Sequence, residues 1–103
     1  MLKGVGHLGV RCNAVLPGCI MTPMTQVEVD VAKDSKAFLT ELGNLHPLQR
    51  RLGQPEEIAT VVAFLLSSKA SFISGECIAV DGGATARCYP YRPDPTIRFR
   101  KAK

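Results

Sequence analysis

Hydrophobic and polar positions along the 103-residue chain change period several times, and each change predicts an element. Val10, Cys12, Ala14 and Leu16 alternate with Arg11, Asn13 and Val15. Apolar residues fall on both sets towards the end, as in a strand covered on both faces. Pro17 cannot donate to a ladder and Gly18 tolerates positive φ, so the strand stops there. Between Gln26 and Gly43 the pattern is mixed. Val27, Val29 and Val31 alternate, whereas Ala37, Phe38 and Leu42 keep a helical spacing from Ser35 onward. This predicts a loop followed by a helix of about two to three turns, with Gly43 as its C′ residue. His46-Pro47 then sets an extended turn.

The clearest helix start lies at Pro55, a residue suited to the first helical position, followed by Glu56 and Glu57 where the helix dipole favours negative charge. From Ile58 to Leu66 every position except Thr60 is apolar. A surface helix shows a stripe, so this one needs cover on most sides: a sheet on one, and a partner subunit or further parts of the same fold on another. After a polar connection at 67–71, Cys77-Ile78-Ala79-Val80 reads as a second buried strand closed by Asp81-Gly82-Gly83. Two buried strands joined through helices make a parallel crossover. Two strands do not stand alone as such a sheet, so the chain reads as one edge of a larger, doubly wound α/β fold.

Composition adds limits. At 46% hydrophobic residues the chain is globular and has room for one small domain. The longest apolar run, Val61 to Leu66, is too short to cross a bilayer, so no membrane partner is expected. The opening residues, Met1 to His7, lack the apolar core and cleavage site of a secretory leader. Cys12, Cys19, Cys77 and Cys88 show no CxxC pairing, which argues against structural zinc and disulfides. Free thiols imply an intracellular protein, cytoplasmic or mitochondrial. The formal charge of +4 is concentrated at the end: residues 84–103 carry six basic side chains and one acid. Tyr89 and Tyr91 lie among them, and basic residues with interleaved aromatics suit a nucleic-acid backbone. No nucleic-acid module accompanies them. The segment is therefore read as a solvated or subunit-packed tail, with no nucleic-acid partner.

Gly4-Val5-Gly6-His7-Leu8-Gly9 satisfies G-x-G-x-x-G to the letter. The motif binds a dinucleotide only between a strand and a helix. Three residues precede it and a period-2 run follows, so it is read as a flexible lead-in. His7 and His46 have no partner at catalytic or metal-ligand spacing and are read as ordinary surface or loop histidines.

The segments Arg11-Cys12-Asn13-Ala14-Val15-Leu16-Pro17-Gly18-Cys19-Ile20-Met21-Thr22, Arg51-Leu52-Gly53-Gln54-Pro55-Glu56-Glu57-Ile58-Ala59, Ser74-Gly75 and Val80-Asp81-Gly82-Gly83 together resemble the C-terminal third of the short-chain dehydrogenase/reductase family. Residues 11 to 26 are similar to the branch holding 3-oxoacyl-carrier-protein reductases and estradiol 17-beta-dehydrogenase 8. The resemblance implies an incomplete, Rossmann-like doubly wound parallel sheet over residues 1–83, followed by a basic, proline-containing tail over 84–103. It implies an NAD(P)-dependent oxidation of secondary alcohols or reduction of ketones, with either NAD or NADP as cofactor.

By the same resemblance Pro17 and Gly18 form the turn that approaches the nicotinamide. Ile20, through its backbone, and Thr22, through its hydroxyl, hold the carboxamide and a nearby phosphate. Fixing the ring matters because hydride transfer needs a near-attack geometry. Thr22 taken alone would read as a loop cap. Cys19, Met21 and Met24 would face substrate, although both methionines also suit a core. The family's Tyr-x-x-x-Lys is not in the chain: four residues after Tyr89 stands Pro93, and after Tyr91, Pro95. No catalytic residue is therefore assigned. The family's tetramers imply self-association, and a non-catalytic oligomerisation module is the alternative reading.

Overall fold

The computed structural model describes residues 2–86 and Ile97. Its elements run α1 (Leu2–Val5), a 3-10 turn (Gly6–Leu8), β1 (Ala14–Pro17), α2 (Pro23–Val31), α3 (Ser35–Asn44), α4 (Pro55–Leu66) and β2 (Cys77–Val80). β1 and β2 pair in parallel, Ala14 opposite Cys77 and Pro17 opposite Val80. The predicted α/β crossover is therefore present. No helix among the described residues is long and apolar enough to cross a membrane.

β1 is shorter at its start than the alternation suggests, and it includes Pro17. Ladder bonds run from Ala14 N–H to the Glu76 carbonyl (2.8 Å) and from Gly18 N–H to the Val80 carbonyl (3.0 Å). In a parallel ladder alternate residues turn both backbone groups to one neighbour. The nitrogen of Pro17 points away from β2, and its missing N–H leaves no gap. Upstream, side chains replace the ladder. Asn13 donates to the Ile73 carbonyl (3.0 Å) and accepts from Glu76 N–H (3.0 Å), while Arg11 donates to the carbonyls of Ile73 and Ser67.

Pro23–Val31, expected as a loop, is a helix. The valine alternation misled, since Val27 is exposed and Val29 alone of the helix is buried. Thr22 caps α2 by accepting from Thr25 N–H (3.3 Å), and Pro23 occupies the first turn. Asp34 caps α3 through Ala37 N–H (3.0 Å). Gly43 lies inside α3 rather than beyond it. A Cβ there would come within 2.5 Å of the Arg50 carbonyl oxygen, so close packing explains this glycine.

The core sits between α2, α3 and the segment before α4: Val29, Ala32, Phe38, Leu42 and Leu52, with Cys19, Met21 and Leu45 packed against it. α4 packs on β1. The expected cover on both faces of the strands and around α4 is not supplied by the described residues. Leu16 is 50% exposed, Phe64 45% and Leu66 78%. The lead-in is one helical turn and a 3-10 turn rather than a flexible stretch, and among the described residues no strand precedes its glycines. The expected tail lies outside the described residues apart from Ala84–Ala86 and Ile97.

Candidate functional site

Both strands end at the same place, and a cavity of about 110 Å³ opens there between Gly18, Cys19 and Ile20, the start of α4, and Asp81-Gly82. The turn from Pro17 to Thr22 is its wall, and hydrogen bonds from four directions fix it. Gly18 N–H reaches Val80. Cys19 N–H donates to His46 Nε2 (3.0 Å). The Cys19 carbonyl accepts from Gly53 N–H (3.0 Å), and Met21 N–H donates to the Gly53 carbonyl (2.9 Å). Thr25 Oγ1 donates to the Ile20 carbonyl (2.8 Å).

The bridge between Ile20 and Gly53 is parallel, so Ile20 turns its own N–H and C=O away from Gly53 and towards one side. On that side the carbonyl holds the Thr25 hydroxyl and keeps a second lone pair. The Ile20 N–H has no hydrogen-bond partner among the described residues. A donor and an acceptor side by side are the complement of a carboxamide.

The remaining predicted site residues divide. Gly18, Cys19 and Ile20 line the cavity. Pro17 ends β1 directly before it. Thr22 Oγ1 serves as the α2 cap and lies 3.2 Å from Thr25 Oγ1. Met21 packs on the core and borders a separate groove with Leu39, Thr40 and Leu52. Met24 is 76% exposed.

His46 is the residue that sequence reasoning missed. It is 3% exposed, and its Nδ1 is buried without a hydrogen-bond partner among the described residues. Its significance comes from a contact across 27 positions, and no local spacing carries that signal. Close approach by two glycines makes room for it. A Cβ on Gly18 would stand 2.8 Å from His46 Nε2, and one on Gly82, at φ +57°, 2.9 Å from His46 Cβ.

Asp81 closes the far side. Its carboxylate accepts from Thr85 Oγ1 (2.7 Å), Thr85 N–H (3.1 Å) and Gly83 N–H (3.0 Å). The Thr85 hydroxyl, chiefly, holds its pKa below the ordinary carboxylate value against the opposing effect of burial. At the mouth Glu57 pairs with Arg51 and accepts from Gln54 N–H (2.8 Å) at the start of α4. The Arg51 hydrogen bond, followed by that of Gln54, holds the Glu57 pKa down to about 2. Among the described residues no group of three or more His, Cys, Asp or Glu side chains is placed to hold a metal ion.

A cavity beyond the carboxyl ends of parallel strands is where open α/β folds bind ligands. The family model described as Enoyl-(Acyl carrier protein) reductase matches residues 3–85. The chain belongs to the short-chain dehydrogenase/reductase family. It is 41% identical over 86 residues to a probable short-chain type dehydrogenase/reductase of Bradyrhizobium diazoefficiens, a match covering 84% of this chain and 28% of that protein. With the (3R)-3-hydroxyacyl-CoA dehydrogenase of Mus musculus it shares 43% identity over 81 residues, 79% of this chain and 29% of that one. A solved short chain dehydrogenase family protein from Francisella tularensis superposes with a TM-score of 0.75 at 32% identity, covering 82% of this chain and 37% of the other. The chain thus spans less than a third of the length of these two curated relatives. The fold is that of the family's Rossmann-like sheet, incomplete.

Proposed function

We propose that the chain forms the nicotinamide-side wall of an NAD(P)-dependent oxidoreductase site for secondary alcohols or ketones. The observation that supports it is the Ile20 backbone pair at the end of β1, a donor and an acceptor facing one side. In this reading Ile20 holds the carboxamide, Pro17 and Gly18 bring the backbone close to the ring, and the Thr22 hydroxyl reaches the adjoining phosphate. Thr22 Oγ1 accepts from Thr25 N–H, and because the Thr25 hydroxyl donates to the Ile20 carbonyl, the Thr22 proton points to Thr25 Oγ1 at 3.2 Å and turns from there to serve an anionic oxygen. When bound, the nicotinamide accepts or gives the hydride. What the chain's own residues do is orient that ring and keep its carboxamide in one rotamer. Cys19, Met21 and Met24 form the neighbouring substrate side, with Met24 the solvent-facing edge.

Residues 1–83 act as the functional unit and 84–103 as an appended tail. The 103-residue chain supplies no Tyr-x-x-x-Lys for proton transfer, so it holds a cofactor wall without a turnover group. Titration of the ¹⁵N-labelled chain with NADH and NADPH tests the wall. Amide shifts confined to Gly18–Thr22 and the start of α2 are expected. Shifts scattered over the surface, or none at millimolar cofactor, would remove the proposal. No oxidation of secondary alcohols by the purified chain is expected.

A second reading is favoured by a separate observation: Leu16, Phe64 and Leu66 are exposed on the strands and α4. Copies of the chain associate through this apolar surface. Light scattering that shows a concentration-independent monomer would sink it.

A further inference from the structure

We propose that His46 is the positioning residue of the Pro17–Thr22 turn: its neutral Nε2 holds the Cys19 N–H, and protonation of the ring releases the turn. This rests on the reading of that turn as the cofactor wall.

The geometry allows little else. Nε2 stands 3.0 Å from Cys19 N, on a side chain only 3% exposed. An imidazole nitrogen that accepts is unprotonated, so the neutral ring carries its proton on Nδ1. Nδ1 is buried and unpartnered among the described residues, so no second hydrogen bond there anchors the ring. A protonated ring has donors at both nitrogens and no acceptor. It would set one N–H against another at Cys19. The backbones of Gly18 and Gly82 approach His46 so closely that neither leaves room for a Cβ, which limits the space into which the ring can swing. The conflict is therefore resolved by movement of the turn.

Charged groups face the same cavity. The Asp81 carboxylate, at the end of β2, is stabilised in part by His46. Arg51, before α4, and Glu57, on α4, line the same cavity but are paired with each other at 2.7 Å. The Cys19 thiol belongs to the turn itself. The neutral ring serves Cys19, and through Cys19 it fixes Ile20, the next residue and the proposed carboxamide holder.

The test uses the full 103-residue chain, ¹⁵N-labelled, over about pH 5 to 8, the span in which imidazoles titrate. The Cys19 amide is expected to shift along the titration curve of the His46 ring nitrogens. In His46→Gln the amide oxygen keeps an acceptor that does not titrate, so the Cys19 signal stays flat and near its neutral position. In His46→Leu it is displaced at every pH. If His46→Leu does not fold, the Gln variant alone decides the matter. A Cys19 signal that ignores pH while His46 titrates, or that still titrates in His46→Gln, overturns the proposal.

Cofactor binding is read separately. NADH binding to the wild type should weaken roughly fivefold to tenfold in acid, about the effect of one hydrogen bond, and should do so much less in His46→Gln. If NADH moves no amide between residues 17 and 22 at any pH, the cofactor reading fails, while the Cys19 titration still decides the role of His46.

Discussion

Arg51 and Glu57 meet at two points, Nη1 to Oε2 at 2.9 Å and Nη2 to Oε1 at 2.7 Å, and the same Oε2 accepts the Gln54 N–H at 2.8 Å. One carboxylate thus caps α4 and ties it to the segment that carries Leu52 and Gly53. Glu57→Gln should lower the melting midpoint by a few degrees. The folded pKa lies near 2, below the ordinary 4.5. The contribution is therefore complete above about pH 4.5 and fades as pH falls towards 2. Melting curves of the two proteins should converge over that interval. Added salt should also narrow the gap, since the pair is open to solvent.

Asp81 presents a different balance, because the hydrogen bonds that serve it come from a hydroxyl and two backbone N–H groups rather than from a cation. Asp81→Asn would turn an amide NH₂ towards Thr85 or Gly83. Leaving a half-buried donor unpaired costs about 1–3 kcal/mol. Chemical denaturation at pH 7 measures it. The wild-type advantage should disappear on acidification, as pH falls through the lowered carboxylate pKa and both proteins become uncharged there.

Gly18→Ala places a methyl 2.8 Å from His46 Nε2 and 2.9 Å from the Asp81 Cα. The backbone of β2 cannot yield cheaply, so a loss of roughly 1–3 kcal/mol is expected. The Cys19 amide signal should move as well, because the new methyl contacts the ring that holds it. An unchanged melting midpoint would contradict the close approach of the two strand ends.

Two aromatic positions separate core from surface. Phe38 is buried in the α3 cluster, and Phe38→Ala should cost about 3–5 kcal/mol. Phe64 stands half-exposed on α4, and Phe64→Ser should change monomer stability little while reducing self-association in light scattering. Equal losses for the two would contradict the position of the core.

The sequence exposes α4 and β2 because their signals are local. Pro55 and the two glutamates announce the helix, and four apolar residues before Asp-Gly-Gly announce the strand. α2 had a start of the same kind, Thr22-Pro23, but the alternating valines after it pointed to an extended chain. In a helix, residues two apart fall on opposite sides, so Val29 is buried and Val27 is exposed. Gly18 and Ile20, marked from the strand end and the family pattern, do line the cavity. His46 was not marked, because burial between two distant strand ends follows from tertiary closure. The packing of Cys19 and Met21 against the core is equally invisible locally, since the cluster they touch is built from α2, α3 and Leu52.

The pairing of Ala14 with Cys77 joins positions 63 apart in the chain. A flexible loop of that length carries a closure term of about 4 kcal/mol, growing with the logarithm of its length. α2 and α3, by contrast, are neighbours in sequence and pack on each other. Hydrogen exchange should therefore distinguish two events, local assembly of the helices and long-range joining of the strand ends. The cavity exists only after the second. Any ligand that bridges Ile20 and the end of β2 would slow the opening of that loop, acting on the chain as a reversible cross-link.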